Sequence, residues 1–279
     1  MKLFIHIILL FYSTLELKSQ NAEEMLNNMF ESIKKCNTLT FTVKSWERID
    51  GEMIFTEVMV KQMNKPFKFY SKVLSEKNNG AEVLFISGVN DNKALVNPDI
   101  FYAPNINLDP RGSMMSEDQH HTLLQSGFNF FSNIINDAMT RAGENFSDVF
   151  ELVGEEILNG TPCYKITINE TEFSYHDYSV QKFDDLRTVA KNFVVSEFMI
   201  MEKNNLNGYG NVKEGDVISI PSSYGKTIAL LIDKVNYLPV GQYVYDDEGL
   251  FEKYEFSKVV INPVLHDNTF SIENEEYGF

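Results

Sequence analysis

The sequence has few cysteines and few basic residues, and these two shortages exclude several classes of protein. The 279 residues contain two cysteines, Cys36 and Cys163, which is too few for a disulfide scaffold or a thiolate metal site. Lys and Arg number 24 against 40 Asp and Glu, so the formal net charge is −16. An acidic surface repels phosphate backbones, and nucleic acid is therefore not expected as a partner. In an exported protein the two cysteines could pair, but spacing alone does not show that they meet.

The sequence also lacks the short motifs that identify common enzymes. Gly225–Thr227 has the end of a phosphate-binding loop, but the leading glycine of that motif falls at Ile220. Gly208–Gly210 begins like a dinucleotide fingerprint, but its third glycine position is Lys213. There is no G-x-S-x-G, H-E-x-x-H, EF-hand or C-x-x-C pattern. We therefore predict no catalytic residue, no cofactor and no metal site, and we expect the protein not to be an enzyme.

A long apolar run occurs only near the N-terminus. Leu3–Leu15 follows the positive charge of Lys2 and is too short to span a bilayer. Residues 1–20 are therefore predicted to be an export signal, which places the mature protein in the periplasm or cell envelope. Signal-peptide cleavage sites usually have a small-x-small pattern, and in Leu17-Lys18-Ser19 only Ser19 is small. A segment that is retained as an interfacial anchor is therefore the alternative.

The rest of the chain is rich in strand patterns. Apolar residues at helical spacing predict a first helix over Glu23–Lys35. Alternating segments bounded by turn residues, at Asp50-Gly51, Asn64–Pro66 and Asn78–Gly80, then predict an antiparallel meander that is interrupted and resumes near the C-terminus. The predicted strands are Thr38–Arg48, Met53–Gln62, Phe67–Leu74, Glu82–Ile86, Lys93–Val96, Phe150–Ile157, Cys163–Ile168, Thr227–Ile232, Pro239–Tyr245 and Leu250–Val260.

Two neighbouring histidines follow the longest irregular segment. Asn97–Gln119 holds three prolines, which predicts a loop that serves as a lid or binding loop. A helix is predicted over His121–Ala142, so His120 and His121 would lie at its start, beside Glu117 and Asp118. Adjacent residues on a helix point about 100° apart, which favours this structural role over a shared metal ion or contact with a ligand.

A short α/β stretch interrupts the meander. Its pattern is a strand at Tyr178–Lys182, a helix with Val189-Ala190-Lys191, a second helix ending at Asn204, and a strand from Gly215 to Pro221. This order resembles a LysM domain. The resemblance implies carbohydrate binding to N-acetylglucosamine glycans, which are peptidoglycan in a bacterium. The implied groove residues are Phe183, Asp184, Asp185, Leu186, Asn204, Leu206 and Tyr209.

That module departs from the LysM pattern at one position. The family's Lys-Gly-Asp turn is Lys182-Phe183-Asp184 here, and the phenylalanine either packs on a sugar or narrows the groove. A module kept only for structure or protein docking is the alternative.

The flanking regions resemble the LolA-like family of periplasmic lipoprotein carriers. The resemblance rests on Leu238-Pro239-Val240, Tyr254–Phe256 and Asn262-Pro263 near the C-terminus, together with further short matches. Those matches are Ile232-Asp233, Asp246–Gly249 and Asp267–Phe270. Gly80–Leu84, and Leu108–Pro110 with His120-His121, also resemble an uncharacterised bacterial envelope family that is assigned to the same fold. The family implies a cavity for acyl chains. Arg111, in the turn that follows Leu108, is a candidate contact for an anionic headgroup at the cavity mouth, together with His120 and His121.

These expectations combine into one prediction. The fold class is α+β, a LolA-like half-open antiparallel β-barrel with helices on its concave face and a small inserted LysM (βααβ) module. The barrel comprises residues 21–172 and 224–279, and the module residues 173–223. The function is attachment to peptidoglycan through the module and binding of a lipid, lipoprotein or hydrophobic partner in the barrel. The alternatives are an envelope scaffold with a solid core, or an enzyme acting near His120 and His121.

Overall fold

The computed structural model describes residues 22–116, 118–206 and 212–279. The predicted export signal and Tyr209 lie outside these ranges, as does Glu117. Within the described ranges, no helix is both long and apolar enough to cross a membrane. The chain divides into two compact units, which we name the large-sheet unit (residues 34–130 and 252–279) and the mixed unit (residues 22–33 and 131–251).

Most of the predicted elements are present. The strands are β1 (Thr38–Ile49), β2 (Glu52–Asn64), β3 (Phe67–Val73), β4 (Glu82–Ile86), β5 (Ala94–Asn97), β6 (Ile106–Leu108), β7 (Phe150–Leu158), β8 (Thr161–Asn169), β9 (Tyr175–Ser179), β10 (Val217–Pro221), β11 (Thr227–Asp233), β12 (Pro239–Tyr245) and β13 (Leu250–Ile261). The helices are α1 (residues 22–34), α2 (Ser113–Ser116), α3 (Asn129–Ala142), α4 (Phe146–Val149), α5 (Leu186–Phe193) and α6 (Glu197–Lys203). Short 3-10 turns lie at Asn90–Asn92, Leu123–Gln125, Gly143–Asn145 and Asp267–Phe270.

The large-sheet unit is an antiparallel sheet in the order β6-β5-β4-β3-β2-β1-β13. The first six strands pair in the order of the sequence, and Asp50-Gly51 supplies the tight turn between β1 and β2. Gly51 has a φ of 81°, the left-handed conformation that glycine adopts without strain. The order is linear, so among the described residues this sheet does not close into a barrel. The fold is thus α+β with a large open antiparallel sheet.

Strand β1 has two partners that are far apart in the sequence. On one side it pairs with β2, and on the other with β13, where Leu39 lies opposite Ile261 and Glu47 opposite Glu252. Alternate side chains of a strand point to the same face, so Phe41, Val43 and Glu47 share one face of the sheet. This face carries the cavity described below.

The mixed unit contains a second antiparallel arrangement and a small module. Strands β12, β11, β8 and β7 pair in that order, and β11 is buried along nearly its whole length. Strands β9 and β10 pair separately, and helices α5 and α6 lie between them in the chain. Val180, Leu186 and Ile220 belong to the apolar core of this β-α-α-β module.

The predicted helix over His121–Ala142 is wrong at its N-terminal end. Asp118 has a φ of 58° and Gly127 a φ of 83°, and neither value is compatible with a right-handed helix. The helix therefore begins at Asn129, and His120 and His121 lie in irregular backbone instead of at a helix start.

The segment predicted as a loop over Asn97–Gln119 contains strand β6 and the single helical turn α2.

Cys36 and Cys163 are both buried thiols outside any disulfide. Burial raises the pKa of both, that of Cys163 to about 11.

Candidate functional site: a cavity on one face of the large sheet

A cavity of about 560 Å³ lies on one face of the large-sheet unit. Its floor is formed by alternate residues of strands β1 to β6, because a period of two places those side chains on the same face. The apolar ones are Val43, Ile54, Val58, Val60, Phe69, Val73, Val83, Val96, Ile106 and Leu108. The floor is therefore mainly apolar, with Ser45, Thr56 and Ser71 as its polar positions.

The described residues on either side of β6, at 98–105 and 109–126, are here called the cover segment and form the other wall of the cavity. Ile100, Met114, Met115 and Leu123 contribute apolar side chains, and methionine adapts readily to ligands of different shape. The tip of this segment is unusually apolar for an exposed surface, since Phe101 and Tyr102 are 85% and 91% exposed.

Just beyond the cover segment, Phe128 anchors the chain to the sheet. Its ring centroid lies 6.2 Å from that of Phe41 on β1 and 4.8 Å from that of Phe256 on β13. All three rings are buried, so the chain is fixed to the cavity face at this point by apolar contacts.

A second anchor is polar and consists of Glu47, His120, His121, Glu252 and Tyr254, here called the Glu–His cluster. Glu47 and Glu252 lie directly opposite each other on β1 and β13 and are 4% and 0% exposed. Burial alone would raise the pKa of the Glu252 carboxyl, but the adjacent His121 and His120 lower it far below its usual range. Glu252 is therefore a buried carboxylate anion.

Both histidines reach the same carboxylate oxygen. His120 Nδ1 lies 2.8 Å and His121 Nε2 3.1 Å from Glu252 Oε2. The other ring nitrogen of His120, Nε2, lies 2.9 Å from the backbone carbonyl oxygen of Arg48. The His120 ring is therefore held on both sides.

Glu47 holds the same stretch of the cover segment from the other strand. Glu47 Oε1 accepts hydrogen bonds from the backbone N–H of His120 and from the Tyr254 hydroxyl. Glu47, His121 and Tyr254 also line the cavity, so the Glu–His cluster forms its polar border. Carboxylates and imidazoles can hold a cation, exchange protons or orient a polar ligand group.

The structure brings together only part of the predicted cavity mouth. His120 and His121 lie together at the cavity border. Arg111 is exposed and is not one of the residues that line the cavity, and its backbone N–H donates to the side chain of Asp109. Sequence reasoning did not find Glu47, Glu252 or Tyr254. The only available signal was an acidic residue at an inward position of a strand pattern.

The predicted glycan-binding residues lie on the module of the mixed unit. Phe183 is 89% exposed and has a φ of 72°, so it adopts the glycine-like conformation at the position where the LysM pattern has glycine. Asp184 accepts hydrogen bonds from Tyr178 and from the backbone of Gln181, and Asp185 caps the N-terminus of α5 through Thr188 N–H.

Three other predicted groove residues stabilise the module itself. Leu186 is fully buried and Leu206 packs against the module core. The Asn204 amide donates to the Ile200 and Ser219 carbonyls and accepts from Ser219 N–H, which ties the end of α6 to β10.

A family model described as "Protein of unknown function (DUF1571)" matches residues 36–187, more than half of the chain. The chain belongs to this DUF1571 family. The match includes Glu47, His120 and His121 and all of strands β1 to β9. No protein of curated function matches the chain.

Several solved structures are similar to this DUF1571 protein at low sequence identity. MucB is 12% identical with a TM-score of 0.45, over 90% of this chain and 62% of that one. The lipoprotein LppX from Mycobacterium tuberculosis is 12% identical with a TM-score of 0.41, over 88% and 97%. A LolA superfamily protein from Nitrosomonas europaea is 10% identical with a TM-score of 0.31, over 90% and 97%. LolA-like proteins are therefore among its structural neighbours, although the chain spans less than two thirds of MucB.

Proposed function

We propose that this DUF1571 protein is a non-enzymatic carrier of the cell envelope that binds a lipid, or the acyl chain of a lipoprotein, in the cavity of the large-sheet unit. The observation that supports this function is the cavity itself, with its volume of about 560 Å³ and its apolar floor. Sites for small ligands usually measure about 300–1,000 Å³ and are lined mainly by apolar side chains. An acyl chain gains about 0.8 kcal/mol for each methylene that leaves water and needs no directional partner.

The polar groups around the cavity support an amphiphilic ligand instead of a pure hydrocarbon. Glu47, His121 and Tyr254 border the cavity, and Lys77 and Asp118 form an ion pair that also lines it. An acyl chain would contact the valines of the floor, and its polar head would face one of these polar borders.

Binding of a fluorescent fatty acid, such as NBD-labelled stearate, tests the proposal. Val83 and Val96 lie opposite each other on β4 and β5 and both line the cavity. Val83→Trp and Val96→Trp should fill part of the cavity and weaken binding at least tenfold. Val260→Trp is the matched control, because Val260 is 49% exposed on β13 and lies outside the cavity.

The melting temperature of each variant shows whether it is folded. Equal affinity of the folded Val83→Trp and Val260→Trp variants would place the ligand elsewhere. Failure of the wild-type protein to bind NBD-stearate or to carry lipid detectable by mass spectrometry would favour a scaffolding role.

A second function, attachment to peptidoglycan, is proposed for the module of residues 173–223. It is supported by the order of β9, α5, α6 and β10 and by the exposed Phe183, whose ring is available to pack on a sugar face. The proposed binding surface comprises Phe183, Asp184 and Asp185, with Tyr209 outside the described residues. The export signal predicted at residues 1–20 supports the same envelope location.

Pelleting of the purified protein with peptidoglycan tests this second function. Phe183→Ala should reduce the pelleted fraction severalfold, whereas Val235→Ala, at an equally exposed apolar residue of the mixed unit, should not. If both variants pellet like the wild type, the module is structural and the lipid-carrier proposal is unaffected.

A further inference from the structure

The Glu–His cluster has an arrangement that ordinary sheet packing does not explain. Glu47 and Glu252 are directly opposite on neighbouring strands, and both are buried. Like charges at such positions destabilise an antiparallel pair, and a buried carboxylate is costly without a compensating positive charge. The site therefore needs positive charge close to both carboxylates.

Three donor atoms of the cluster lie close to one another. One ligand atom from each of Glu47, His120 and Glu252 lies within 4.8 Å of the other two. His121 Nε2 lies beside this group, 3.1 Å from Glu252 Oε2. In a tetrahedral zinc site with bonds of about 2.0–2.1 Å, neighbouring ligand atoms are about 3.3 Å apart. The observed nitrogen-to-oxygen distances of 2.8 and 3.1 Å are close to this value.

The groups behind these donors also fit a metal site. A histidine that binds a metal through one ring nitrogen usually donates the other N–H to a carbonyl or carboxylate. His120 meets this condition, because its Nε2 faces the Arg48 carbonyl oxygen at 2.9 Å while Nδ1 faces Glu252. The Tyr254 hydroxyl fixes the Glu47 carboxylate in the same way.

The charge balance agrees with a divalent cation. Histidine binds a metal ion in its neutral form, so with a metal bound two carboxylates and two imidazoles would contribute a charge of −2, which one divalent ion neutralises. Imidazole nitrogen and carboxylate oxygen are ligands that suit zinc and other divalent transition metals. The four ligands come from β1, β13 and the cover segment, so an ion here would join the cover segment to the sheet.

We propose that Glu47, His120, His121 and Glu252 bind a divalent transition-metal ion, represented by Zn²⁺, that fastens the cover segment over the cavity. The site is independent of the lipid-binding function, since its ligands are complete without a lipid. It is also separate from the peptidoglycan proposal, because all four residues belong to the large-sheet unit.

Zn²⁺ binding by the intact protein, first stripped with a chelator, tests the proposal. Titration against a chromophoric zinc chelator should show one high-affinity site per chain, and Zn²⁺ should raise the melting temperature. His120→Gln should weaken binding about 100-fold and His121→Gln at least tenfold. His266→Gln is the matched control, because His266 is an exposed histidine of the same unit.

The outcomes separate the metal site from a plain ion-pair cluster. His121→Gln is the informative variant if His120→Gln fails to fold, because the His121 side chain is 17% exposed and less enclosed. Absence of a stoichiometric site in the wild type would overturn the proposal. Equal losses in His121→Gln and His266→Gln would also overturn it. Since these measurements use no lipid, they stand whether or not NBD-stearate binds.

Discussion

Glu47 and Glu252 lie directly opposite each other on β1 and β13, so two buried carboxylates share one point of the large sheet. Their partners come from the cover segment, since both histidine rings contact Glu252 and the His120 backbone N–H donates to Glu47. The cover segment and the two strands are therefore linked by hydrogen bonds as well as by the apolar contacts of Phe128.

Removing one of these carboxylates should destabilise the protein strongly. Glu252→Gln replaces the buried carboxylate with a neutral amide that faces two imidazole rings. By analogy with broken buried ion pairs, this change should lower the free energy of unfolding by about 3–5 kcal/mol. Urea unfolding in excess chelator measures this cost without any contribution from a metal. Glu273→Gln, at an exposed residue of the same unit, should change stability by less than about 0.5 kcal/mol. Equal effects of the two substitutions would contradict the buried cluster.

The opposite face of the large sheet carries a pH-dependent contact. Glu82 accepts hydrogen bonds from Gly278 N–H at 2.6 Å and from the Tyr70 hydroxyl at 2.8 Å. Burial alone would raise the pKa of the Glu82 carboxyl, but these bonds and Lys72 lower it below its usual value. Tyr277, next to Gly278, stacks on Tyr70 with ring centroids 3.7 Å apart.

A lowered pKa stabilises the fold above the unfolded value, about 4.3 for glutamate, and this contribution is lost as the pH falls below it. Glu82→Gln should therefore cost about 1–3 kcal/mol at pH 7 and clearly less at pH 3.5. Unfolding curves at both values measure the difference, with the exposed Glu76→Gln as control. A cost that does not change with pH would rule out a role for the Glu82 charge.

Gly225 is required for packing in the mixed unit, although its sequence context resembles a phosphate-binding loop. A Cβ at this position would lie 2.6 Å from Val244 Cγ1 and 3.2 Å from the Tyr245 carbonyl oxygen. Gly225→Ala should therefore destabilise the protein by about 1–3 kcal/mol through overpacking. Lys226→Ala, at the exposed neighbouring position, should have no measurable effect on thermal unfolding. A neutral Gly225→Ala variant would show that β12 moves aside.

Phe183 provides a test of backbone strain in the module. With a φ of 72°, a residue that has a Cβ is disfavoured by about 1–2 kcal/mol, whereas glycine is not. Phe183→Gly should stabilise the module by about 0.5–1 kcal/mol, since the ring is 89% exposed and makes few contacts. Phe183→Ala separates the two effects, because it removes the ring but keeps the Cβ. A gain of stability in Phe183→Ala as large as that in Phe183→Gly would assign the effect to the ring.

The strands of the large sheet could be predicted because local signals determine them. Alternating apolar residues and the turns at Asp50-Gly51 and Asn78–Gly80 placed β1 to β4 within a few residues of their observed bounds. The start of α3 could not be predicted in this way. Apolar spacing continues through Leu124 and Phe128, but the left-handed backbone of Gly127 interrupts the helix, and a Cβ added at Gly127 would lie 3.0 Å from Gln62 Nε2.

Only the histidines of the candidate site could be identified from the sequence. His120 and His121 attract notice because they are adjacent, rare and preceded by acidic residues. Glu47 and Glu252 have no local feature that links them, since their contact depends on the pairing of β1 with β13. The cavity likewise depends on side-chain volumes on both walls, and apolar alternation alone does not distinguish a hollow interior from a filled one.

The position of β1 between β2 and β13 also affects how the protein is made. A growing chain acquires β2 almost at once, whereas the residues of β13 emerge only after the whole mixed unit has been synthesised. Until then one edge of β1 has no partner strand, and long-range pairing of this kind forms slowly and is prone to aggregation. The large-sheet unit should therefore complete its folding only after most of the chain has left the ribosome.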